Sequence, residues 1–178
     1  MVQVHTERVT HEHDGGIAVF LIGMRFTRPW RVDAWLPVMG AMPRMLRELY
    51  AAKAAAARGE GEDLGFLDAR TLVGGRGVTV VQYWRSVDDI YRYASAPDHA
   101  HRPAWQAFNA RARDAGDAVG IWHETFAVPA GGHESLYLGV PTMGLAKATA
   151  VVPMARRGRT APERLAAGGS AGAADLGA

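Results

Sequence analysis

Short runs of β-branched and aromatic residues alternate with helical stripes along this chain, and their order leaves few possible topologies. The first run, Ile17–Phe26, has the length and composition of a strand. Apolar residues at steps of three and four then predict an amphipathic helix from about Trp35. Pro43 lacks a backbone N–H, so we expect the helix to kink or restart there. An alanine-rich stretch continues the helix until Gly59 and Gly61 end it.

The second half of the pattern reads as a hairpin, a helical region and a last strand. Two strand-like runs flank the sequence GGRG at 74–77, where the glycines can supply the positive φ of a tight turn. Ser86 and Asp89 have the spacing of a capping box and predict the start of a helix. A further helical piece begins near Pro103, and Val119–Val128 is the fourth strand. The order β-α-β-β-α-β predicts an α+β, ferredoxin-like fold, in which both helices cover one face of a four-stranded antiparallel sheet.

The other face of such a sheet is apolar and would be left uncovered by this chain. Large uncovered apolar faces usually pack against a partner, and two sheets can pack face to face. The pattern therefore predicts a homodimer in the form of a dimeric α/β barrel.

Both ends of the chain differ in composition from the middle. Residues 1–15 are polar and predict a flexible leader, while the Ala-, Gly- and Arg-rich residues 154–178 predict a disordered tail. The leader holds three of the seven histidines, His5, His11 and His13. Residues 16–153 are then expected to form one domain, with the segment after Gly132 packed over the sheet or the partner subunit.

Composition excludes several classes of protein. The chain has no cysteine, which excludes a disulfide scaffold, a thiolate metal site and a cysteine nucleophile, and suits a cytoplasmic location. No apolar run approaches the roughly 18 residues that cross a bilayer, so no membrane association is expected. The net charge of +2 is accounted for by residues 156–178, which leaves the remainder neutral and predicts no nucleic-acid binding.

The sequence GIWHETF at 120–126 places three chemically capable side chains in a row. Successive side chains of a strand point to opposite faces, so His123 should lie on one face and Trp122 and Glu124 on the other. The pattern therefore argues against a single site that contains all three. The structural alternative is that His123 is a satisfied interior histidine and Glu124 a rim carboxylate.

Two other groups of residues could also bear function. His99 and His101 could supply two metal ligands, but no third ligand lies nearby, so the alternative is a loop with solvated histidines. Glu134 and Tyr137 are three residues apart, and Tyr137 could present its phenol to a cavity. The alternative there is a rim carboxylate and a core aromatic residue.

Three motifs in order carry a resemblance to a known family: HRPAW at 101–105, GIWHET at 120–125, and E-x-x-Y-x-x-x-P at 134–141. The chain from Ile17 to Pro153 resembles the monooxygenase family that includes a monooxygenase of fungal fumagillin biosynthesis. That family is similar in fold to the antibiotic-biosynthesis monooxygenases. The resemblance marks these residues: His101, Trp105, Trp122, His123, Glu124, Glu134 and Tyr137.

The resemblance implies an enzyme that oxidises a hydrophobic small molecule of the secondary-metabolite type with O₂ in an apolar barrel cavity. In the version without a bound cofactor, the substrate supplies the electrons, and the protein deprotonates it and excludes water. His123 is the expected general base, His101 is the second choice, and Glu124 would orient or hydrogen-bond. The expected pocket residues are Trp105, Trp122, Glu134 and Tyr137.

Two alternatives stay open. The enzyme could depend on haem, as an oxygenase or an aldoxime-dehydratase-like enzyme, with His123 or His101 as the axial ligand; no other metal is expected. The chain could also form a non-catalytic dimer that binds a small molecule and whose histidines are structural.

Overall fold

The computed structural model describes residues 3–96 and 116–169. The chain forms two compact units, one of residues 20–125 and the other of residues 1–19 together with 126–178. His101 and Trp105, with the helical piece predicted near Pro103, lie outside the described residues.

The larger sheet has the predicted four strands. They are β2 (Ile17–Phe26), β3 (Phe66–Gly74), β4 (Gly77–Trp84) and β5 (Val119–Val128), after a short β1 (Val9–His11). Their order across the sheet is β3-β4-β2-β5, so the first and last of the four are neighbours. This is the strand order of a ferredoxin-like sheet, and the α+β prediction is confirmed.

Among the described residues, the unit of residues 20–125 contains three helices: α1 (Val32–Met39), α2 (Ala41–Ala57) and α3 (Val87–Ser95). The predicted interruption near Pro43 is a break at Gly40, which places Pro43 in the first turn of α2, where no backbone N–H is needed. Val38 of α1 packs with Met24 and Val119 in a small core cluster. The apolar stripe of the sequence therefore faces the sheet.

The predicted cap before α3 forms, with Ser86 as its N-cap. The backbone N–H of Asp89 donates to the Ser86 hydroxyl at 3.1 Å, and that hydroxyl donates to the Asp89 carboxylate at 2.8 Å. Asp89 is 3% exposed and also accepts from Arg85 and Arg92. The start of α3 is thus fixed by a buried carboxylate that accepts hydrogen bonds from Arg85, Ser86 and Arg92.

The β3–β4 hairpin is present, with Gly74 opposite Gly77, but its glycines serve a different purpose from the one expected. None of the residues in GGRG has a positive φ. A Cβ on Gly77 would instead overlap the carbonyl oxygen of Met24 on the neighbouring strand. Gly77 is needed for close backbone approach rather than for turn conformation.

The other unit contains a second, two-stranded sheet, in which β1 pairs antiparallel with β6 (Val151–Pro153). It also contains α4 (Gly144–Ala148), a 3₁₀ turn at Met154–Arg156 and α5 (Ala161–Gly169). The strand Val9–His11 lies where the composition predicted a flexible leader. Thr10 and His11 are buried, and each is hydrogen-bonded to Ser135, so their polarity does not oppose burial.

The first part of the predicted disordered tail forms α5. The backbone N–H of Glu163 donates to the Thr160 hydroxyl, while the Glu163 carboxylate accepts the N–H groups of Arg159 and Thr160. These bonds form a capping box with the spacing Thr-x-x-Glu. Arg164, 6% exposed, then forms an ion pair with Glu134 at 2.7 Å. Composition alone missed both the cap and the buried cation.

None of the helices in the described ranges has the length and hydropathy required to cross a bilayer.

Candidate functional site

Strand β5 sends His123 and Trp122 to opposite faces of the sheet. The His123 ring lies 5.6 Å from the ring of Phe20 on β2, and Phe20 faces the helices. The indole of Trp122 instead covers Gly23, which alternates with Phe20 along β2 and so belongs to the opposite face. His123 therefore lies on the helix side of the sheet, and Glu124 lies with Trp122 on the far side.

Trp122 is held by a close contact rather than by a pocket. A Cβ on Gly23 would lie 2.7 Å from the indole ring, so only glycine leaves room for it. The Trp122 side chain is 37% exposed, and Glu124 is exposed as well. This arrangement is an aromatic side chain that covers a strand glycine.

A cavity of about 30 Å³ lies between the sheet and the helices, within the unit of residues 20–125. Its lining comes from β2, β4, α2 and α3, and comprises Phe20, Ile22, Met42, Met45, Leu49, Gln82, Trp84, Ile90, Tyr93 and Ala94. Most of these side chains are apolar, and the methionines can change conformation at little cost. The Phe20 side chain lines the cavity, and its ring contacts the ring of His123, so Phe20 lies between the two.

Gln82 brings a hydrogen-bonding group into this apolar lining. The Trp84 indole N–H donates to the Gln82 side-chain oxygen at 2.9 Å. Because an indole N–H can only donate, this bond fixes which end of the amide is the oxygen. Within residues 3–96 and 116–169, no group accepts a hydrogen bond from the Gln82 side-chain nitrogen, although Gln82 is only 5% exposed. The cavity is therefore lined by a buried amide with free donors.

Tyr93 is the other polar residue in the lining, and its hydroxyl is engaged. It donates to the Glu48 carboxylate at 3.2 Å. Burial, together with the nearby Glu48, raises the pKa of Tyr93 well above its ordinary value. The phenol therefore stays protonated and is not available as a base.

Glu134 and Tyr137, predicted to line a pocket, lie in the other unit, where structural contacts account for both. Glu134 pairs with buried Arg164. Tyr137 pairs with Val9 as an isolated bridge, and its hydroxyl accepts the backbone N–H of Ala146 at 3.4 Å. A role for either residue in a pocket stays a prediction, as do the roles of His101 and Trp105.

A buried chain of hydrogen bonds, which sequence reasoning did not predict, joins Ser135, His11 and His133. The second ring nitrogen of His133, Nε2, lies 2.9 Å from the Gly15 carbonyl oxygen and must donate to it. Nδ1 of His133 then accepts from Nε2 of His11 at 2.8 Å, and Nδ1 of His11 accepts from the Ser135 hydroxyl at 2.8 Å. These directions hold when both imidazoles are neutral. No local signal in the sequence links residues so far apart along the chain.

The environment of His11 disfavours its charged form. Desolvation lowers the pKa of His11 to about 4; His133, Arg157 and His13 act in the same direction, and Asp14 opposes them. Arg157 itself pairs with Asp14 at 2.7 Å, which keeps a cation close to the imidazole pair. This environment is typical of a structural element that holds His11 in its neutral form.

No group of three His, Asp or Glu side chains in the described part of the chain is arranged to hold a metal ion. The cavity beside Phe20 is also far smaller than the roughly 300 Å³ of an ordinary ligand pocket, and it does not fit haem as it stands.

The sequence matches a family and a curated relative. The model of the family described as "Monooxygenase af470-like" matches residues 17–145. Monooxygenase af470 from Aspergillus fumigatus is 26% identical over 129 residues, which are 70% of this chain and 43% of that protein. The chain thus spans less than half the length of this relative.

Solved structures with the same fold include two aldoxime dehydratases. One, in complex with butyraldoxime, superposes with a TM-score of 0.57 at 14% identity and covers 82% of this chain and 41% of the other. The second gives a TM-score of 0.53 at 19% identity and covers 84% of this chain and 42% of the other. At these identities the likeness concerns the fold.

Proposed function

This chain belongs to the Monooxygenase af470-like family, and we propose that it oxidises a hydrophobic small molecule with O₂ without a bound organic cofactor. The observation that carries the proposal is the position of His123, on the helix side of the sheet and one side chain away from an apolar cavity. A substrate bound beside His123 would meet the imidazole on one side and, beyond Phe20, a water-poor space on the other.

The proposed chemistry begins with proton abstraction from an activated C–H group. Imidazole is suited to this step because its ordinary pKa lies close to physiological pH. The resulting carbanion transfers its electrons to O₂ and forms a C–O bond, which gives a peroxide that takes the proton back. Loss of water from an activated methylene then leaves a carbonyl, so one oxygen atom enters the product and the other leaves as water.

Glu124 is the rival base, and the sheet separates it from His123. Both side chains are exposed, and Glu124 shares the far face with Trp122. We assign the proton transfer to His123 because the apolar cavity lies on its side of the sheet, where exclusion of water favours a carbanion.

The test measures oxygen consumption with a panel of electron-rich polycyclic phenols and anthrones. His123→Ala should lower turnover by about 10²- to 10⁴-fold, the usual contribution of a general base. Glu124→Gln is the matched control and should stay within about threefold of the parent chain. Full activity in His123→Ala together with loss in Glu124→Gln would assign the base to the other face.

An absorption spectrum separates the cofactor-free reaction from a haem-dependent one. The purified chain is expected to show no Soret band, also after addition of haem. A Soret band that is lost in His123→Ala would make His123 an axial ligand and overturn the proposal. Oxygen consumption with none of the panel, by a chain that binds the same compounds, would favour a non-catalytic binding protein.

We further propose that the chain forms a homodimer through the far face of the sheet. Trp122 and Phe126 alternate along β5 on that face and are 37% and 48% exposed. Exposed aromatic side chains on a sheet face are typical of a surface that packs against a partner. Light scattering should give twice the mass of one chain, and Phe126→Arg should reduce it to one; a monomeric parent chain would contradict this.

A further inference from the structure

The cavity beside Phe20 is small for an organic substrate but suits a diatomic molecule. A volume of about 10–15 Å³ is enough for one water, and this cavity measures about 30 Å³. We propose that dioxygen occupies this cavity and that the Gln82 side-chain amide stabilises its reduced, anionic form. The identity of the occupant rests on the oxygenase function proposed above.

The lining favours a neutral, apolar occupant before the reaction. Side chains from β2, α2 and α3 surround the space, among them Ile22, Met45, Leu49 and Ile90. An apolar molecule gains by leaving water for such a space, whereas a water molecule would find few hydrogen-bonding partners there.

Gln82 supplies hydrogen-bond donors to the occupant of the cavity once that occupant is an anion. The Trp84 indole donates to the amide oxygen, while no group of the described residues accepts from the amide nitrogen, and the side chain is 5% exposed. When a carbanion gives one electron to O₂, a carbon radical and superoxide form, and their combination makes the C–O bond. An anion in an apolar space is costly without donors, so a fixed amide lowers the barrier to this transfer.

The position of the cavity fits the order of events. Phe20 lines it and also contacts the ring of His123, so a single side chain separates the oxygen from the base. A substrate deprotonated by His123 would therefore generate its carbanion next to the stored oxygen. Gln82 is a residue of β4 that no motif of the sequence marks.

The experiment uses two probes that need no turnover, xenon for the neutral occupant and azide for the anion, and follows both by NMR of the intact chain. Xenon under pressure should shift the methyl signals of Ile22, Leu49 and Ile90. Azide should shift the side-chain amide signal of Gln82, and Gln82→Met should weaken azide binding about tenfold while xenon still enters. Thr79→Val, on the opposite face of β4, is the control and should change neither.

Each contrary result overturns a defined part of the proposal. Xenon shifts that avoid these methyl groups would remove the cavity as a gas site. Equal azide affinity in the parent chain and in Gln82→Met would show that Gln82 does not donate to the anion. An unshifted Gln82 amide signal in the parent chain would show the same without a variant. Absence of oxygen consumption on every substrate would refute the oxygenase function while the two probe results stood, so the two failures are distinguishable.

Discussion

Acid should destabilise this protein through His11, because the His11 imidazole binds a proton far more weakly in the native state than in the unfolded chain. The pKa of His11 falls from 6.5 to about 4 on folding, mainly by desolvation. Since the folded pKa is the lower one, the unfolded state binds more protons at intermediate pH. Stability is then complete above pH 6.5, is lost as the pH falls from 6.5 to about 4, and changes no further below that range.

The size of the effect follows from the same two values. Each pH unit between the two pKa values corresponds to about 1.4 kcal/mol. Protonation of His11 should therefore lower the free energy of unfolding by about 3 kcal/mol. That is a large fraction of the roughly 5–15 kcal/mol that stabilises an ordinary domain. The side chain is 2% exposed, so solvent does little to screen the effect.

The assay compares the parent chain with His11→Gln, which keeps an amide donor for His133 but cannot titrate. Urea unfolding followed by circular dichroism at pH 7.5, 5.5 and 4 gives the free energy of unfolding of each. The parent should lose about 3 kcal/mol more than the variant across this range, because the titrating groups that do not interact with His11 cancel in the difference. Two parallel pH curves would refute the reasoning.

Substitutions of Gly65 and Gly23 test two close contacts by denaturant unfolding, with Gly59 as the control for the first. Gly65→Ala should cost more than about 3 kcal/mol because φ is +77° and the new Cβ would overlap the Asp89 carboxylate, whereas Gly59→Ala, with φ +72° and open space, should cost about 1 kcal/mol; equal losses would leave Asp89 with no part in the effect. Gly23→Ala should cost about 1–3 kcal/mol through the Trp122 indole, and Trp122→Ala in the same chain should recover most of it; additive losses would contradict the contact.

The alternation of periodicities by itself determined the sheet and its order. Ile17–Phe26 and Val119–Val128 become the central and edge strands, because short runs rich in β-branched and aromatic residues favour strands. The cap formed by Ser86 and Asp89 could also be predicted from the sequence, because its two residues are only three positions apart. Strand alternation also predicted that His123 and Glu124 would not share a face.

Contacts between residues distant in sequence were decided by the tertiary structure alone. Composition assigned His11 to a flexible leader because it lies among polar residues, yet Ser135 and His133, more than a hundred positions away, satisfy both of its nitrogens. Packing between the helices and the sheet likewise decided which side of β5 lies near the apolar cavity. It also turned Gln82 toward that cavity, where no group of the described residues accepts from its amide nitrogen. Local patterns encode periodicity, while a buried polar group is explained only by partners that the fold brings to it.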